Sequence, residues 1–240
     1  MAYINFENVS LRYPIYNSRG FSLRNQLIRI STGGLIESEA GHVNYVTALK
    51  NVSFEIREGD SIGIIGHNGA GKTSLLRTIA GIYTPNSGNI SISGKLSTLF
   101  EQGAGMENEL SGYENIIRVL MMLGTSKKDS LKKINEIEEF TELGNFLQFP
   151  VRTYSTGMAM RLNFAINTSV NPEILLIDEI FGAGDEAFRN KARIRINNLI
   201  NSSKIFIFAS HSIDMIREYC NRLFILEHGI LKEEGLDYIS

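Results

Sequence analysis

The segment IGIIGHNGAGKTSLLRTIAG, residues 62 to 81, constrains this chain more than any other. It reads as an apolar strand, a glycine-rich turn and a helix. Within it GHNGAGKT, residues 66 to 73, fills the pattern GxxxxGK[ST]. Glycine lets the backbone curl with its N–H groups pointing inward and no Cβ in the way, and the following helix adds its N-terminal dipole. A glycine loop can also be no more than a tight strand-to-helix turn. Lying between strand and helix, the full pattern reads as a site for a nucleoside triphosphate. Lys72 can reach the β- and γ-phosphates, and the Thr73 hydroxyl can ligate Mg2+. The candidate nucleotide-binding residues are Gly66, His67, Asn68, Gly69, Ala70, Gly71, Lys72, Thr73 and Ser74. The turn alone does not separate a kinase, a GTPase, a helicase or a transport ATPase.

Bulk properties narrow the class. The 240 residues suffice for one large domain, or one with an embedded subdomain. A net charge of -2 provides no general basic field for nucleic acid. The single cysteine, Cys220, excludes an intrachain disulfide framework and suits a reducing compartment. No signal peptide is visible, and apolar runs such as ILLI at 174 to 177 fall far short of the roughly 18 residues a spanning helix needs. The chain is therefore expected not to cross a membrane by itself.

Residues 3 to 13 and 48 to 56 read as strands, as do 61 to 65, 174 to 178 and 205 to 209, with a helix over 72 to 81. Short strands are expected within 89 to 100. Alternating strands and helices imply an α/β fold with a mainly parallel sheet. The stretch from Pro14 to Thr47 is irregular, apart from FSLRNQLIRI, where Leu23, Leu27 and Ile30 recur at helical spacing beside Arg19, Arg24 and Arg29. It reads as a surface helix, or as a basic amphipathic helix that touches a membrane surface or a membrane partner. From residue 103 the chain is richer in helix formers. In LKKINEIEEFTEL, Leu131, Ile134 and Ile137 are expected on one buried side.

Three further stretches carry chemistry. ILLIDEI, 174 to 180, is a buried strand ending in acids. Asp178 can hold Mg2+, and Glu179 can orient or deprotonate an attacking water. IFIFASHS ends at His211, which a strand beside the others would bring toward a γ-phosphate. YSTGMAMRLNFAINTSV, 154 to 170, opens a helix with a small polar turn, a second anion-binding helix N-terminus. The first turn already holds its own triphosphate, so the economical arrangement is a head-to-tail pair of chains. Each YSTGM would then cap the nucleotide on its partner. The same turn would also serve as an ordinary N-cap.

The order of these pieces resembles the nucleotide-binding subunit of ABC transporters across nearly the whole chain. It runs GHNGAGKT at 66 to 73, YSTGM at 154 to 158, ILLIDE at 174 to 179, Asp185, then His211. The resemblance implies a P-loop NTPase of the ABC-type ATPase class: α/β, with N-terminal antiparallel strands and an inserted helical subdomain. One such domain would span 1–240, with an extended insertion at 14–47 and a helical subdomain at 103–170. The substrate implied is ATP with Mg2+. Where the family usually has LSGGQ, this chain has Tyr154, Ser155, Thr156, Gly157 and Met158, proposed to act in trans. Ser155 and Gly157 match the pattern, Thr156 replaces the first glycine and Met158 the glutamine. Arg161 also matches, and FGAGD departs from the usual SALD while keeping Asp185 as the residue that signals across the dimer. Glu101 and Gln102 are both candidates for the Q-loop position, and Gln102 joins Thr73 and Asp178 as a candidate Mg2+ ligand. Tyr13 matches the aromatic that stacks on the base, with Tyr45 and His42 as alternatives. The implied catalytic residues are Glu179, His211 and Lys72.

YSTGM, DEIFGAGD and ISGKLSTLFEQGAGMENELSGYENI together look like the branch that exports cell-surface polysaccharides. That likeness implies an ATPase coupled to export of a lipid-linked polysaccharide: O-antigen first, then capsule, then teichoic acid. The implied partners are a second copy of the chain and an integral-membrane permease, with no nucleic acid. The implied location is the cytoplasmic face of the inner membrane, peripherally bound. ABC-type ATPases acting on DNA form a competing class. They usually interrupt the domain with long heptad segments, and no sustained heptad run is visible here.

Overall fold

The computed structural model describes residues 1–15, 36–38, 44–99, 105–178 and 186–239. They fall into two compact units. The first joins Met1–Gly94 to Lys204–Ser240, and the second is Lys95–Ser203. Most of the 14–47 stretch, including Leu23, Leu27, Ile30 and the three arginines, lies outside the described residues.

In the first unit, strand β1 (Tyr3–Ile15) pairs antiparallel with β3 (Asn44–Arg57), which carries the short β2 (Ile36–Ser38) on its other edge. Strand β5 (Ser87–Ser93) pairs with the free side of β1. Ile4 and Phe6 of β1 are buried, and then so are Val9 and Leu11. This change of parity is a bulge. The β1–β3 register shifts between Phe6 and Val9, where Asn8 takes φ 52. An added residue turns the rest of a strand over, and the bulge returns its apolar residues to the core. Phe6 stacks on Phe54 at 4.5 Å, and Phe54 meets Phe224 at 5.3 Å.

The same unit builds a parallel layer. Strand β4 (Ser61–Ile65) lies between β8 (Ile205–Ala209) and β9 (Arg222–Glu227), parallel to both, and β10 (Ile230–Glu234) closes antiparallel on β9. All five residues of β8 are buried, as suits a strand covered on both faces. Helix α1 (Lys72–Ile79) follows β4, and α6 (Ile213–Tyr219) follows β8. Helix α6 crosses β4 so closely that a Cβ at Gly63 would lie 2.5 Å from Ile216 Cγ2.

Among its described residues the second unit pairs β6 (Leu96–Leu99) in parallel with β7 (Ile174–Asp178) and adds four α-helices. These are α2 (Gly112–Met122), α3 (Lys127–Thr141), α4 (Thr156–Asn167) and α5 (Glu186–Ser202). Ile116, Leu120, Ile137, Leu147, Leu162 and Ile166 form the centre of its helical core. Helix α2 starts with a capping box of Ser111 and Glu114. Fully buried Asn115 ties down the preceding turn, donating to the carbonyls of Glu107, Leu110 and Ser111 and accepting from Glu107 N–H. In α3 the buried positions are Ser130, Ile137 and Thr141, with Ile134 partly buried against the core. Leu131 is 49% exposed, contrary to the expected face. At 3.6 residues per turn it sits about 120° from Ile137, off the stripe formed by 130, 134, 137 and 141.

Candidate functional site

Strand β4 delivers the glycine-rich turn. Beyond Ile65 the chain reaches Gly66, whose missing Cβ would press into the Leu226 carbonyl of β9 and come within 3.1 Å of Ala70 Cβ. Ala70 N–H donates to the His67 carbonyl at 3.0 Å and closes the loop. Gly71 then caps α1 in a left-handed conformation, φ 109, where a Cβ would lie 2.5 Å from the Ala48 carbonyl. No side chain caps this helix start. The loop is thus held by β3 and the β9–β10 turn. Gly229 N–H donates to Ala70 O at 3.2 Å, and Gly229 O accepts from Lys50 N–H at 2.8 Å.

Lys72 folds back over this loop. Its side chain is buried, and Nζ donates to Gly66 O at 2.6 Å and His67 O at 3.3 Å. His211 Nε2 stands 3.4 Å from the same Nζ. Strand register explains the meeting. Ile64 pairs with Ala209, and Ser210 N–H donates to Ile64 O at 3.2 Å, so the chain leaves β8 beside the loop. In that contact the Lys72 ammonium is the donor and the ring nitrogen the acceptor. Ser210 Oγ accepts from Ser212 N–H, and Ser212 Oγ caps α6 through Met215 N–H, which fixes the segment around His211.

Tyr13 stands in register with Val46 of β3. Its hydroxyl donates to Ser74 Oγ at 3.2 Å, on the first turn of α1. Its ring meets that of Tyr83 edge to face, centroids 5.4 Å apart. Burial, chiefly, raises the pKa of the Tyr13 hydroxyl above its ordinary value and keeps it a donor. Tyr45 pairs with Pro14, next along the same ladder. His42 lies outside the described residues.

In the second unit Ser155 is the N-cap of α4, its Oγ accepting from Met158 N–H at 3.2 Å. Ser155 and Thr156 are exposed, and around Gly157 a Cβ would meet only Ser155 Oγ, at 4.0 Å. The turn is open to an incoming group. Tyr154 anchors it from behind, donating to Phe146 O at 2.7 Å and lying so near Gly112 that a Cβ there would be 2.5 Å from its hydroxyl. The Arg161 guanidinium lies over the Phe188 ring at 5.2 Å. Asp178 ends β7, half-buried. Glu179, Asp185, Glu101 and Gln102 lie outside the described residues.

Two features escaped the sequence reading. The β9–β10 hairpin turns through His228 and Gly229, both at positive φ (49 and 77), and the His228 ring packs 4.9 Å from that of His67 in the glycine loop. The signal was a His-Gly pair between apolar stretches, a weaker hairpin mark than Asn-Gly. The other is Tyr83, held by Arg77, against Tyr13.

The glycine cradle, the uncapped helix start and the lysine fit a polyphosphate, and the Thr73 hydroxyl on the first turn of α1 is a hard oxygen donor of the kind Mg2+ takes. Among the described residues no group of three or more His, Cys, Asp or Glu side chains gathers into a protein-only metal cage. A cation held jointly with substrate phosphates needs none.

Fold and loop define a P-loop nucleoside-triphosphate-binding protein. The model of the ABC transporter family matches residues 49–182, and the chain belongs to that family. It is 58% identical over 239 residues to the O-antigen export system ATP-binding protein RfbE of Yersinia enterocolitica, covering 100% of both chains. It is 40% identical to the teichoic acids export ATP-binding protein TagH of Staphylococcus epidermidis, covering 97% of this chain and 84% of that one. Against TagH of Bacillus cereus the identity is 38%, and the chain spans 40% of that protein's length. Among solved structures, a dimeric post-hydrolysis state of an ATP-binding cassette bound to ADP and Pi superposes with a TM-score of 0.69 at 22% identity, covering 97% of this chain and 98% of that one. That likeness concerns the fold.

Proposed function

We propose that this chain is the ATP-binding and ATP-hydrolysing subunit of an ABC transporter that exports a lipid-linked cell-surface polysaccharide, O-antigen lipopolysaccharide first. The observation that carries the reading is the 58% identity to an O-antigen export ATP-binding protein along the whole of both chains. Identities of 38–40% to teichoic acids export proteins favour a related polymer as the second reading.

In the proposed cycle a pair of copies binds ATP head to tail. The loop of one copy, Gly66 to Ser74, holds the phosphates, and Tyr13 stacks on the base. The exposed Ser155–Gly157 turn of the other copy closes on the γ-phosphate, its freely approached helix start supplying N–H donors. Glu179 polarises the attacking water, while Lys72 and His211 stabilise the charge that develops on the transferred phosphoryl group. The 3.4 Å approach of Lys72 to His211 supports that pairing of roles. Thr73, Asp178 and Gln102 are the proposed ligands of Mg2+, which when bound neutralises charge on the phosphate oxygens. Asp185 carries the signal between copies, and Glu101 or Gln102 senses the nucleotide.

Among the described residues no helix is long and apolar enough to cross a membrane. The proposed partner is an integral-membrane permease at the cytoplasmic face of the inner membrane. A groove of about 610 Å³ on α2, lined by Ile117, Met121 and Met122 and rimmed by Glu114, Arg118 and Lys127, supports docking there. Met121 and Met122 are 48% and 65% exposed, and unbranched thioethers adapt well to a partner surface.

The test is co-purification of a tagged Glu179→Gln variant from its native cell in the presence of ATP. The reading expects an integral-membrane protein encoded among glycosyltransferases. Recovery with DNA or ribosomes and no membrane protein would overturn it.

A further inference from the structure

Tyr13 is gripped twice by elements that belong to the phosphate-binding helix. Its hydroxyl donates to Ser74 on the first turn of α1, and its ring meets Tyr83 at an interplanar angle of 72°. Tyr83 is in turn bound to the last turn of the same helix. Arg77 Nη1 donates to the Tyr83 hydroxyl at 2.8 Å, the Arg77 guanidinium lies 5.6 Å from the Tyr83 ring centre, and the Arg77 carbonyl accepts from Tyr83 N–H at 3.3 Å. Ile82 N–H donates to that carbonyl as well, at 2.9 Å, which stops the helix and turns the chain back along it. Helix α1 thus carries the loop at one end and, at the other, a clamp that sets the plane of Tyr13. An aromatic ring stacks on a base only if its plane is held, and edge-to-face contact holds a plane without using a polar group.

We propose that Tyr83, anchored by Arg77, is a positioning residue for the nucleotide base: it fixes the Tyr13 ring at a set place relative to the phosphate loop, and so governs base affinity without touching the phosphates. This rests on the reading of Tyr13 as the base-stacking residue.

Two ligands separate base from phosphate contributions: a non-hydrolysable ATP analogue and inorganic tripolyphosphate, each titrated calorimetrically into the full chain. An edge-to-face pair contributes enough that Tyr83→Ala weakens the analogue about threefold to tenfold. Tripolyphosphate affinity stays within about twofold, because the phosphate loop keeps its own glycine contacts. Tyr83→Phe keeps the ring and removes the hydroxyl that accepts from Arg77 and bonds to the Tyr13 hydroxyl, so where the ring contact dominates its ratio of the two affinities lies nearer the wild-type value. The chain has no tryptophan, so Tyr13→Trp adds a single fluorophore at the stacking position. Its quenching by the saturating analogue should shrink when Tyr83→Ala is added. Equal losses for both ligands would make Tyr83 a purely structural residue and overturn the proposal, as would no change in either. A Phe variant as damaging as the Ala variant would overturn the role given to the ring. If Tyr13→Ala itself leaves the ratio of affinities at its wild-type value, the base-stacking reading fails, and that failure is distinct from the others.

Discussion

The loop glycines differ in what they would lose, and substitution by alanine ranks the losses. Gly69 and Gly71 both hold positive φ, 82 and 109. A Cβ at Gly69 would meet nothing within 4 Å, so Gly69→Ala carries only backbone strain, about 1–2 kcal/mol. A Cβ at Gly71 would lie 2.5 Å from the Ala48 carbonyl and 3.3 Å from Leu226 Cδ2. Both neighbours belong to paired strands that resist displacement, so overpacking adds about 1–3 kcal/mol. Gly71, at φ 109, also lies further than Gly69 from the left-handed well at φ about +57, so strain and packing against β3 and β9 act in the same direction. Urea unfolding of each purified variant, followed by circular dichroism, measures their difference in stability. Gly71→Ala should unfold at clearly lower urea than Gly69→Ala with a similar slope. Gly66→Ala, with no positive φ but with the Leu226 carbonyl in its way, should fall between them. Equal midpoints for Gly69→Ala and Gly71→Ala would refute the claim that strand contacts shape the loop.

Asn115→Ala should cost about 1–3 kcal/mol of stability in the same assay, because it takes the side-chain acceptor from Glu107 N–H, while the carbonyls of Glu107, Leu110 and Ser111 each keep a backbone N–H partner. Burial pushes the Cys220 thiol from 9.0 up to about 12, so the fold holds its proton more tightly than the unfolded chain does. Its contribution is therefore complete below about pH 9 and declines as pH rises toward about 12. Thermal midpoints measured above about pH 9 should fall less steeply in Cys220→Ala than in the wild type. His211→Ala, which removes the acceptor 3.4 Å from Lys72 Nζ, should lower kcat for ATP about a hundredfold or more with a smaller effect on KM.

Much of this frame was legible in the residues. The strands expected at 61–65, 174–178 and 205–209 are β4, β7 and β8 at those bounds. Continuous apolar runs closed by a glycine, an acid or a serine leave little choice. Other ends were set by pairing. Strands β1 and β3 run on to Ile15 and from Asn44 because they support each other there, across a ladder whose register shifts break the alternation. The β9–β10 hairpin went unread because a histidine holds the left-handed position usually marked by asparagine. Leu131 was misplaced because spacings of three drift around a helix. The contact between Lys72 and His211 spans 139 positions. No spacing rule reaches that far, and only the parallel register of β4 with β8 brings the two together.

The most direct test of the central claim is phosphate release from ATP by the purified full-length chain, with Glu179→Gln measured beside it. The account predicts turnover by the wild type and a fall of about a hundredfold or more in the variant, with ATP binding retained. Release at the wild-type rate by Glu179→Gln would contradict it.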